Sequence, residues 1–365
     1  MFFYMPTKLF CETDCISNHA NDLIRFGKKA YIITGKNSSK KNGSLDDVIK
    51  ALGSIGTDYL LFDKIEENPS VELIMEATAF AKDYKPDYVI GIGGGSPLDA
   101  SKAIALMLAN PERDKDLLFD TNTPYNKALD VIAVPTTCGT GSEVTPYSIL
   151  TLHDKCTKSS IPHLIFPEIA LCDPSYLKAC SDSILKNTAV DALGHFIESY
   201  INVKSTFLSG MLCEKGLSMW QEVKNILGKD NKSDKDYETL LMVSSIAGMA
   251  ISHTGTSLPH GMSYSLTYDY GIPHGKAVGT FLPSFVEFAS DEYKNKVLAL
   301  LGYTNTLEFS DDLSNIIGTV DVPADKYKAY ALDMAGNERK LKSCPYTVTK
   351  ETIDNIYDNS LINIL

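Results

Sequence analysis

Four side chains in the second half of the chain have the types and spacing of a binding site for one divalent metal ion: Asp191, His195, His260 and His274. Asp191 and His195 are four residues apart in an apolar run, so on a helix they share one face. Each of the other two histidines stands between a proline and a glycine. Imidazole nitrogens and a carboxylate oxygen suit Fe²⁺, Zn²⁺ or Mn²⁺, and a set without thiolates argues against a closed structural zinc site.

The first of two glycine-rich loops lies upstream, within residues 87–102. A β-prone run, Tyr88 to Ile92, ends in three consecutive glycines, and a helical segment from Pro97 to Leu108 follows. Ser96 is the predicted N-cap, with Pro97 at the first helical position. Glycines allow the backbone to approach a phosphate, and a helix N-terminus offers free N–H groups and partial positive charge. The segment therefore predicts a phosphate-binding turn, although it lacks the Gly-x-Gly-x-x-Gly pattern of the ordinary Rossmann motif.

The second loop, residues 131–145, also follows a strand that is apolar enough to be buried. Its strand runs into small residues rich in hydroxyl groups and backbone donors, Pro-Thr-Thr-Cys-Gly-Thr-Gly-Ser-Glu. Two such loops in one half of the chain indicate a long phosphate-bearing ligand such as a dinucleotide.

The order of predicted elements places these loops in an α/β half and the metal residues in a helical half. Strands and helices alternate in the first half, which predicts a parallel sheet with helices on both faces. The predicted elements there are strands 30–34, 59–62, 88–92 and one from Val131, with helices 45–52, 71–84 and 97–108. Long helical periods follow, at 184–201, 208–226 and 237–251. We predict an α/β dinucleotide-binding domain over 1–180 and an all-α metal-binding and substrate domain over 181–365.

Composition and charge exclude several classes of function. The chain of 365 residues carries a net charge of −12, and its longest basic clusters are pairs such as Lys40-Lys41, which disfavours nucleic acid and anionic membranes as partners. No apolar run approaches the ~20 residues of a transmembrane helix, and the N-terminus lacks a basic signal region. The eight cysteines include no Cys-x-x-Cys pair, which favours free thiols in a reducing compartment. We expect a cytoplasmic protein.

The motifs together resemble those of the iron-activated (group III) alcohol dehydrogenases. Gly-Gly-Gly-Ser-x-x-Asp-x-x-Lys, Pro-Thr-Thr-x-Gly-Thr-Gly-Ser-Glu, Asp-Ala-Leu-x-His and the two later histidines occur in that family's order along nearly the whole chain. The resemblance is greatest to the NADP-dependent butanol and 1,3-propanediol dehydrogenase branch. It implies a Rossmann-like, dehydroquinate synthase-like architecture, Fe²⁺ with Zn²⁺ as the alternative, a homodimer, and hydride transfer between a nicotinamide coenzyme and a small primary alcohol or aldehyde.

The resemblance also assigns coenzyme contacts, and the loop after the first predicted strand indicates which coenzyme. Enzymes that prefer NAD usually place a carboxylate near the adenosine ribose, where it would repel a 2′-phosphate. Here Gly35 occupies the position where NAD-preferring relatives often carry Asp, and Ser38 and Ser39 follow with nearby lysines. We therefore predict NADP(H), with a 2′-phosphate pocket at Gly35, Ser38 and Ser39. The other implied contacts are Asn68, Gly94, Gly95, Ser96, Asp99, Thr136, Thr137, Thr140, Thr145 and Lys158.

The family resemblance assigns His274 to the catalytic centre, and one departure from the family pattern concerns the proton path. Many relatives carry a further histidine four residues after the third metal ligand, where this chain has Tyr264. Tyr264 could donate a proton in its place, although a phenol is a slow base near neutral pH. A tyrosine that only packs and makes a hydrogen bond is the alternative.

Three other functions remain open from the sequence. A glycerol dehydrogenase-like enzyme would use zinc and NAD, and the loop at Gly35 argues against it. A lyase similar to 3-dehydroquinate synthase would share the architecture, but its basic phosphate-substrate site is not matched. A coenzyme-binding protein without catalysis is disfavoured because every expected metal ligand is present.

Overall fold

A computed structural model describes residues 3–361 of the chain and divides it into two compact units. One unit consists of Met5–Cys180 and Lys232–Ser245. Within the described residues, the other consists of residues 3–4, Ser181–Asn231 and residues 246–361. The predicted domain limits at residues 1 and 365 lie outside the described residues. The segment 232–245, which we expected in the helical domain, is thus assigned to the α/β unit.

The α/β unit is built on a six-stranded sheet in which each paired neighbour is parallel. The strand order is β1-β8-β5-β4-β2-β3, and β6 and β7 form a separate antiparallel hairpin. Because parallel strands end at the same edge, the loops after β4 and β5 are brought side by side. The strands are β1 (Lys8–Cys11), β2 (Lys29–Gly35), β3 (Asp58–Ile65), β4 (Tyr88–Gly93), β5 (Asp130–Pro135), β6 (Ile149–Leu152), β7 (Thr157–Ser160) and β8 (Ile169–Cys172).

Apolar side chains cover both faces of the sheet, as continuous β-branched runs predict for buried parallel strands. Along β2, Tyr31 and Ile33 belong to one apolar cluster, whereas Ala30 and Ile32 belong to the other. This alternation is the two-residue period of a strand. The helices of this half are α1 (Cys15–Asn18), α2 (Ser38–Lys41), α3 (Ser44–Ser54), α4 (Val71–Ala81) and α5 (Gly95–Leu108).

The rest of the described chain is helical, which confirms the predicted fold class of an α/β half followed by an all-α half. Within residues 3–361, no helix combines the length and apolar character needed to cross a membrane. The helices are α6 (Asp182–Tyr200), α7 (Phe207–Ser218), α8 (Trp220–Leu227), α9 (Asp234–Thr254), α10 (Leu258–Tyr270), α11 (His274–Glu287), α12 (Asp291–Leu301), α13 (Thr306–Ile317), α14 (Ala324–Ala335), α15 (Glu338–Leu341) and α16 (Lys350–Ser360).

Two predicted boundaries are wrong. Helix α5 begins at Gly95 with Gly94 as its N-cap, so Ser96 is not the cap. The Ser96 hydroxyl instead accepts a hydrogen bond from the backbone N–H of Asn68, 3.1 Å away, a contact between residues distant in sequence. The predicted helix 208–226 is two helices, α7 and α8, that meet at Met219.

Candidate metal centre and coenzyme loops

Helix α6 presents the first part of the candidate metal centre. The Ser181 hydroxyl caps it by accepting a hydrogen bond from the backbone N–H of Ile184 at 3.3 Å. The spacing of Asp191, His195 and Glu198 places all three on one face of the helix. Each of these side chains is buried. One helix thus carries two of the four predicted ligands.

Helices α10 and α11 supply the other two predicted ligands. His260 lies in the first turn of α10, and His274 is the first residue of α11. A Cβ atom on Gly275 would lie 1.8 Å from the carbonyl oxygen of Asn187, a residue of α6. Only glycine permits so close an approach. The start of α11 therefore packs against the backbone of α6, the helix that carries Asp191.

The three predicted histidine ligands lie around one oxygen atom of the fourth predicted ligand, Asp191. The Oδ1 atom of Asp191 lies 3.3 Å from Nε2 of His260, 3.6 Å from Nε2 of His274 and 3.9 Å from Nε2 of His195. Ligand-to-metal distances of about 2.0–2.2 Å place tetrahedral ligand atoms about 3.3–3.6 Å apart. Asp191, His195 and His260 offer ligand atoms that all lie within 4.8 Å of one another, which is the size of a first coordination sphere around one ion, and His274 lies beside Asp191 but outside that group.

The chemistry of the donor atoms also fits a metal ion. Asp191 Oδ1 and His260 Nε2 are buried, yet neither makes a hydrogen bond. Burial raises the pKa of the Asp191 carboxyl, but the surrounding imidazoles, His195 foremost, outweigh burial and hold that pKa well below its usual range. An ionised carboxylate among imidazoles is a donor set for Fe²⁺ or Zn²⁺. The side chain of His274 is 29% exposed, against 4% for Asp191, so the cluster is most open at His274.

Glu198 belongs to the same cluster, although the sequence analysis did not single it out. Its carboxylate, fully buried, is the hydrogen-bond partner of His260 Nδ1. Burial raises the pKa of Glu198, but His260 outweighs burial and keeps that pKa below its usual range. The same neighbours act on the imidazole: burial lowers the pKa of His260, whereas Glu198 and Asp191 raise it to about 9. The signal that could have identified Glu198 is its position seven residues after Asp191, on the ligand face of α6.

Tyr264 lies one turn after His260 on α10 and is half-buried. The rings of Tyr264 and His274 are stacked, with an interplanar angle of 24° and centroids 6.2 Å apart. The tyrosine that replaces the family histidine therefore stands beside the most exposed of the four predicted ligands.

The two glycine-rich loops of the α/β unit lie against each other. The backbone N–H of Thr136 donates to the carbonyl of Gly93 at 2.9 Å. A Cβ atom on Gly94 would lie 3.1 Å from Oγ1 of Thr137, and one on Gly95 would lie 2.7 Å from Cγ2 of Thr140. The structure thus brings together the predicted coenzyme residues from β4–α5 and from the loop after β5. Thr145 is buried at the end of that loop.

A third segment joins these loops through Asn68. Asn68 has a left-handed backbone with φ of 58°, and its N–H donates to Ser96. The Lys158 ammonium group, on the β6–β7 hairpin, donates to the Asn68 side-chain oxygen at 2.7 Å. Three predicted coenzyme residues that are far apart in sequence are therefore neighbours at the start of α5.

Asp99, which we predicted at the pyrophosphate, is committed to contacts within the protein. Its carboxylate accepts hydrogen bonds from the Ser142 hydroxyl at 2.5 Å and the backbone N–H of Ile149 at 2.9 Å. The fully buried Lys102 donates to the same segment, to the Ser142 hydroxyl at 2.7 Å and to the Tyr147 carbonyl at 2.7 Å. Together they fasten α5 to the chain that follows the second loop.

The predicted 2′-phosphate pocket is only partly open. Gly35 ends β2 opposite Ile65 of β3, and Ser38 is exposed. Ser39 is fully buried, and its hydroxyl is bonded to that of Thr34 at 2.9 Å, so it supports the turn from inside. Lys40 forms an ion pair with Asp63 at 2.5 Å.

Comparison with known proteins assigns the family. Residues 6–174 match the model of the iron-containing alcohol dehydrogenases, and residues 186–361 match the C-terminal model of the Fe-containing alcohol dehydrogenase family. The chain therefore belongs to the iron-containing alcohol dehydrogenase family and is an NAD(P)-dependent oxidoreductase. This assignment favours the oxidoreductase over the dehydroquinate synthase-like lyase.

Individual relatives agree with this assignment. The chain is 32% identical over 304 residues to an NADPH-dependent butanol dehydrogenase of Clostridium saccharobutylicum, covering 80% of this chain and 76% of the relative. It is 32% identical over 271 residues to a lactaldehyde reductase of Escherichia coli, covering 72% of this chain and 69% of that protein. The crystal structure of an iron-containing alcohol dehydrogenase from Thermotoga maritima is similar with a TM-score of 0.91 and 37% identity over 99% of each chain.

Proposed function

We propose that this protein is a metal-dependent alcohol dehydrogenase and aldehyde reductase that transfers a hydride between NADP(H) and a small primary alcohol or aldehyde. The observation that carries the proposal is the convergence of three histidine Nε2 atoms, within 3.9 Å, on Oδ1 of Asp191. A divalent ion bound by these groups, Fe²⁺ foremost and Zn²⁺ as the alternative, supplies a Lewis acid that lowers the pKa of an alcohol or polarises an aldehyde carbonyl.

The other steps of the proposed reaction are assigned to residues of the chain. Asp191, His195 and His260 form the buried part of the ligand set, and His274 closes it on the more exposed side, where substrate enters. We propose that the hydroxyl of Tyr264 donates a proton to the carbonyl oxygen of an aldehyde as the hydride adds to its carbon, and that the resulting phenolate takes a proton from solvent. The loops at Gly94 and Thr137 hold the coenzyme phosphates on backbone N–H groups and the N-terminus of α5.

The preference for NADP(H) rests on two observations. The relative from Clostridium saccharobutylicum is NADPH-dependent, and Gly35 presents no side chain where a carboxylate would repel the 2′-phosphate. Ser38 is exposed beside Gly35, so its hydroxyl can face the phosphate, whereas Ser39 supports the turn from inside.

Initial rates of butanal reduction under anaerobic conditions, with Fe²⁺-loaded protein, test the preference. We expect kcat/KM for NADPH to exceed that for NADH by at least about tenfold, which corresponds to 1.4 kcal/mol. Gly35→Asp should remove most of this ratio, because the added carboxylate repels the 2′-phosphate. Gly35→Ala is the matched control, since its Cβ meets the same carbonyl of Ile65 at 3.2 Å without adding charge. Faster turnover with NADH in the unmodified protein would overturn the coenzyme proposal alone.

His260→Ala tests the metal proposal. Loss of one buried ligand should abolish turnover and weaken metal binding, while the affinity for NADP(H), measured by fluorescence titration, stays nearly unchanged. Bound metal is measured by elemental analysis after gel filtration. Turnover that persists in metal-free protein would contradict the mechanism.

A further inference from the structure

We infer that Glu198 is a positioning residue for the metal centre: it holds the His260 ring so that the Nε2 lone pair points at the ion. The inference rests on the proposed function, because it assigns a role in the same metal centre. It concerns a residue that binds neither metal nor substrate and acts through a ligand.

Both carboxylate oxygens of Glu198 have fixed partners. Oε1 is bonded to His260 Nδ1, and Oε2 accepts from the backbone N–H of Ser257 at 2.5 Å and from its hydroxyl at 3.2 Å. Nδ1 of His260 is engaged by Glu198, so Nε2, the atom 3.3 Å from Asp191 Oδ1, is the ring nitrogen that remains to ligate an ion.

The position of Glu198 also fixes the distance between two helices at the site. Glu198 shares α6 with Asp191, whereas His260 belongs to α10. The Glu198–His260 hydrogen bond therefore holds His260 of α10 beside Asp191 of α6.

Lys340 is partly buried and adds a positive charge near Glu198, although His260 stabilises the Glu198 carboxylate more strongly. The Lys340 ammonium group donates to the hydroxyl and carbonyl of Thr256, at 3.0 and 3.3 Å, next to Ser257. Its stem packs where Gly261 lacks a side chain, with Cγ 3.3 Å from the position of a Cβ atom. Lys340 thus contacts Thr256, the neighbour of the serine that hydrogen-bonds Glu198.

The test measures metal affinity and the visible absorption spectrum of the Co²⁺-loaded protein, not turnover alone. Glu198→Gln preserves shape, but its single amide oxygen cannot accept from both His260 and Ser257. We expect its affinity for Co²⁺ and Zn²⁺ to fall by about 10- to 100-fold, with an altered Co²⁺ spectrum. Glu143→Gln removes another fully buried carboxylate, one that lies in the α/β unit, and should bind both ions as the unmodified protein does.

A double variant separates positioning from a purely structural role. Glu198→Gln leaves the positive charge of the partly buried Lys340 without the nearby Glu198 carboxylate, which lowers stability. Glu198→Gln/Lys340→Met removes that cation, so the thermal midpoint of the metal-free protein should recover while the metal affinity stays low. Recovery of the affinity together with the stability would overturn the inference, as would an unchanged affinity in Glu198→Gln.

Two other results are informative: failure of Glu198→Gln to fold, and failure of the unmodified protein to bind a metal ion. If Glu198→Gln does not fold, Glu198→Asp is the substitute, because it keeps the charge and moves the carboxylate oxygens back by one methylene. An unchanged affinity for Co²⁺ and Zn²⁺ in Glu198→Asp would overturn the inference. Failure of the unmodified protein to bind Co²⁺, Zn²⁺ or Fe²⁺ would instead reject the proposed metal centre itself. The two failures are therefore distinguishable.

Discussion

Lys102 illustrates at the scale of one residue how burial and hydrogen bonding change the chemistry of a side chain. It is fully buried, and its ammonium group donates to the carbonyl and hydroxyl of Ser142 and to the carbonyl of Tyr147. Burial lowers the pKa of Lys102 to about 8, even though Asp99 and Glu143 favour the charged form. This lysine of the first glycine-rich motif thus holds two segments of the protein together.

This lowered pKa predicts a pH-dependent stability. Between pH 8 and about 10, the unfolded chain binds more protons at this lysine than the folded protein does, so this group makes stability rise with pH. Lys102→Met lacks that contribution. The thermal midpoint of the unmodified protein minus that of the variant should therefore increase from pH 8 to pH 10. Lys50→Met, at an exposed lysine, controls for the loss of one charge. A difference that is independent of pH would contradict the prediction.

Residue types and spacing predicted a metal cluster because Asp191 and His195 share a helical face whatever the tertiary fold. The role of Ser39 could not be predicted in this way. Its hydroxyl faces Thr34 and not solvent, and the direction of a side chain in a short turn depends on how that turn packs. The spacing from Asp191 places Glu198 on the ligand face of α6, but its partner His260 is 62 residues away in sequence, so the local pattern does not reveal their contact.

At the scale of elements, the site depends on the close contact between α6 and the start of α11. Gly275→Ala places a methyl group against the backbone of Asn187, so α11 must shift and carry His274 with it. We expect a loss of stability of about 1–3 kcal/mol, as in other overpacked interiors, and weaker Co²⁺ binding.

Gly210→Ala on α7 is the matched control for this change. No atom lies within 4 Å of its added Cβ, so helix propensity should stabilise it by up to about 1 kcal/mol. Thermal melts and Co²⁺ titrations of both variants measure the contrast. A Gly275→Ala protein as stable and as tight in metal binding as Gly210→Ala would contradict the proposed contact.

Elements were predictable where local composition determines them. The β-branched runs of β2, β4 and β5 mark buried strands, and the structure extends the predicted strands by only one or two residues. Strands β1 and β8 are four residues each and pair with one another, although most of the α/β unit lies between them in sequence. Each therefore depends on a partner that the local sequence does not reveal. The break between α7 and α8 likewise adjoins Trp220, whose indole N–H donates to Tyr303 at 2.8 Å, a contact absent from the local sequence.

At the scale of the whole molecule, the two kinds of ligand are assigned to different units. The predicted metal ligands all belong to the helical unit, and the predicted coenzyme residues all belong to the α/β unit. A net charge of −12 gives the chain no general attraction for polyanions. Binding of a phosphate-bearing coenzyme must therefore depend on local groups such as the backbone N–H donors at Gly94 and Gly95.

Hydrogen exchange measured by mass spectrometry should show two separate footprints. Zn²⁺, which is redox-inert, should slow exchange in peptides of α6, α10 and α11, because ligation ties their ligand-bearing turns together. NADP⁺ should slow exchange in residues 92–100 and 135–145, where we propose that backbone N–H groups bind the coenzyme phosphates. Helix α3, which contributes no predicted ligand, is the internal control for both additions. Coenzyme protection confined to α10 and α11, or metal protection confined to the glycine-rich loops, would contradict the assignment of ligands to units. If Zn²⁺ slows exchange in α6 of the unmodified protein but not of His260→Ala, the slower exchange results from metal binding at the predicted ligands.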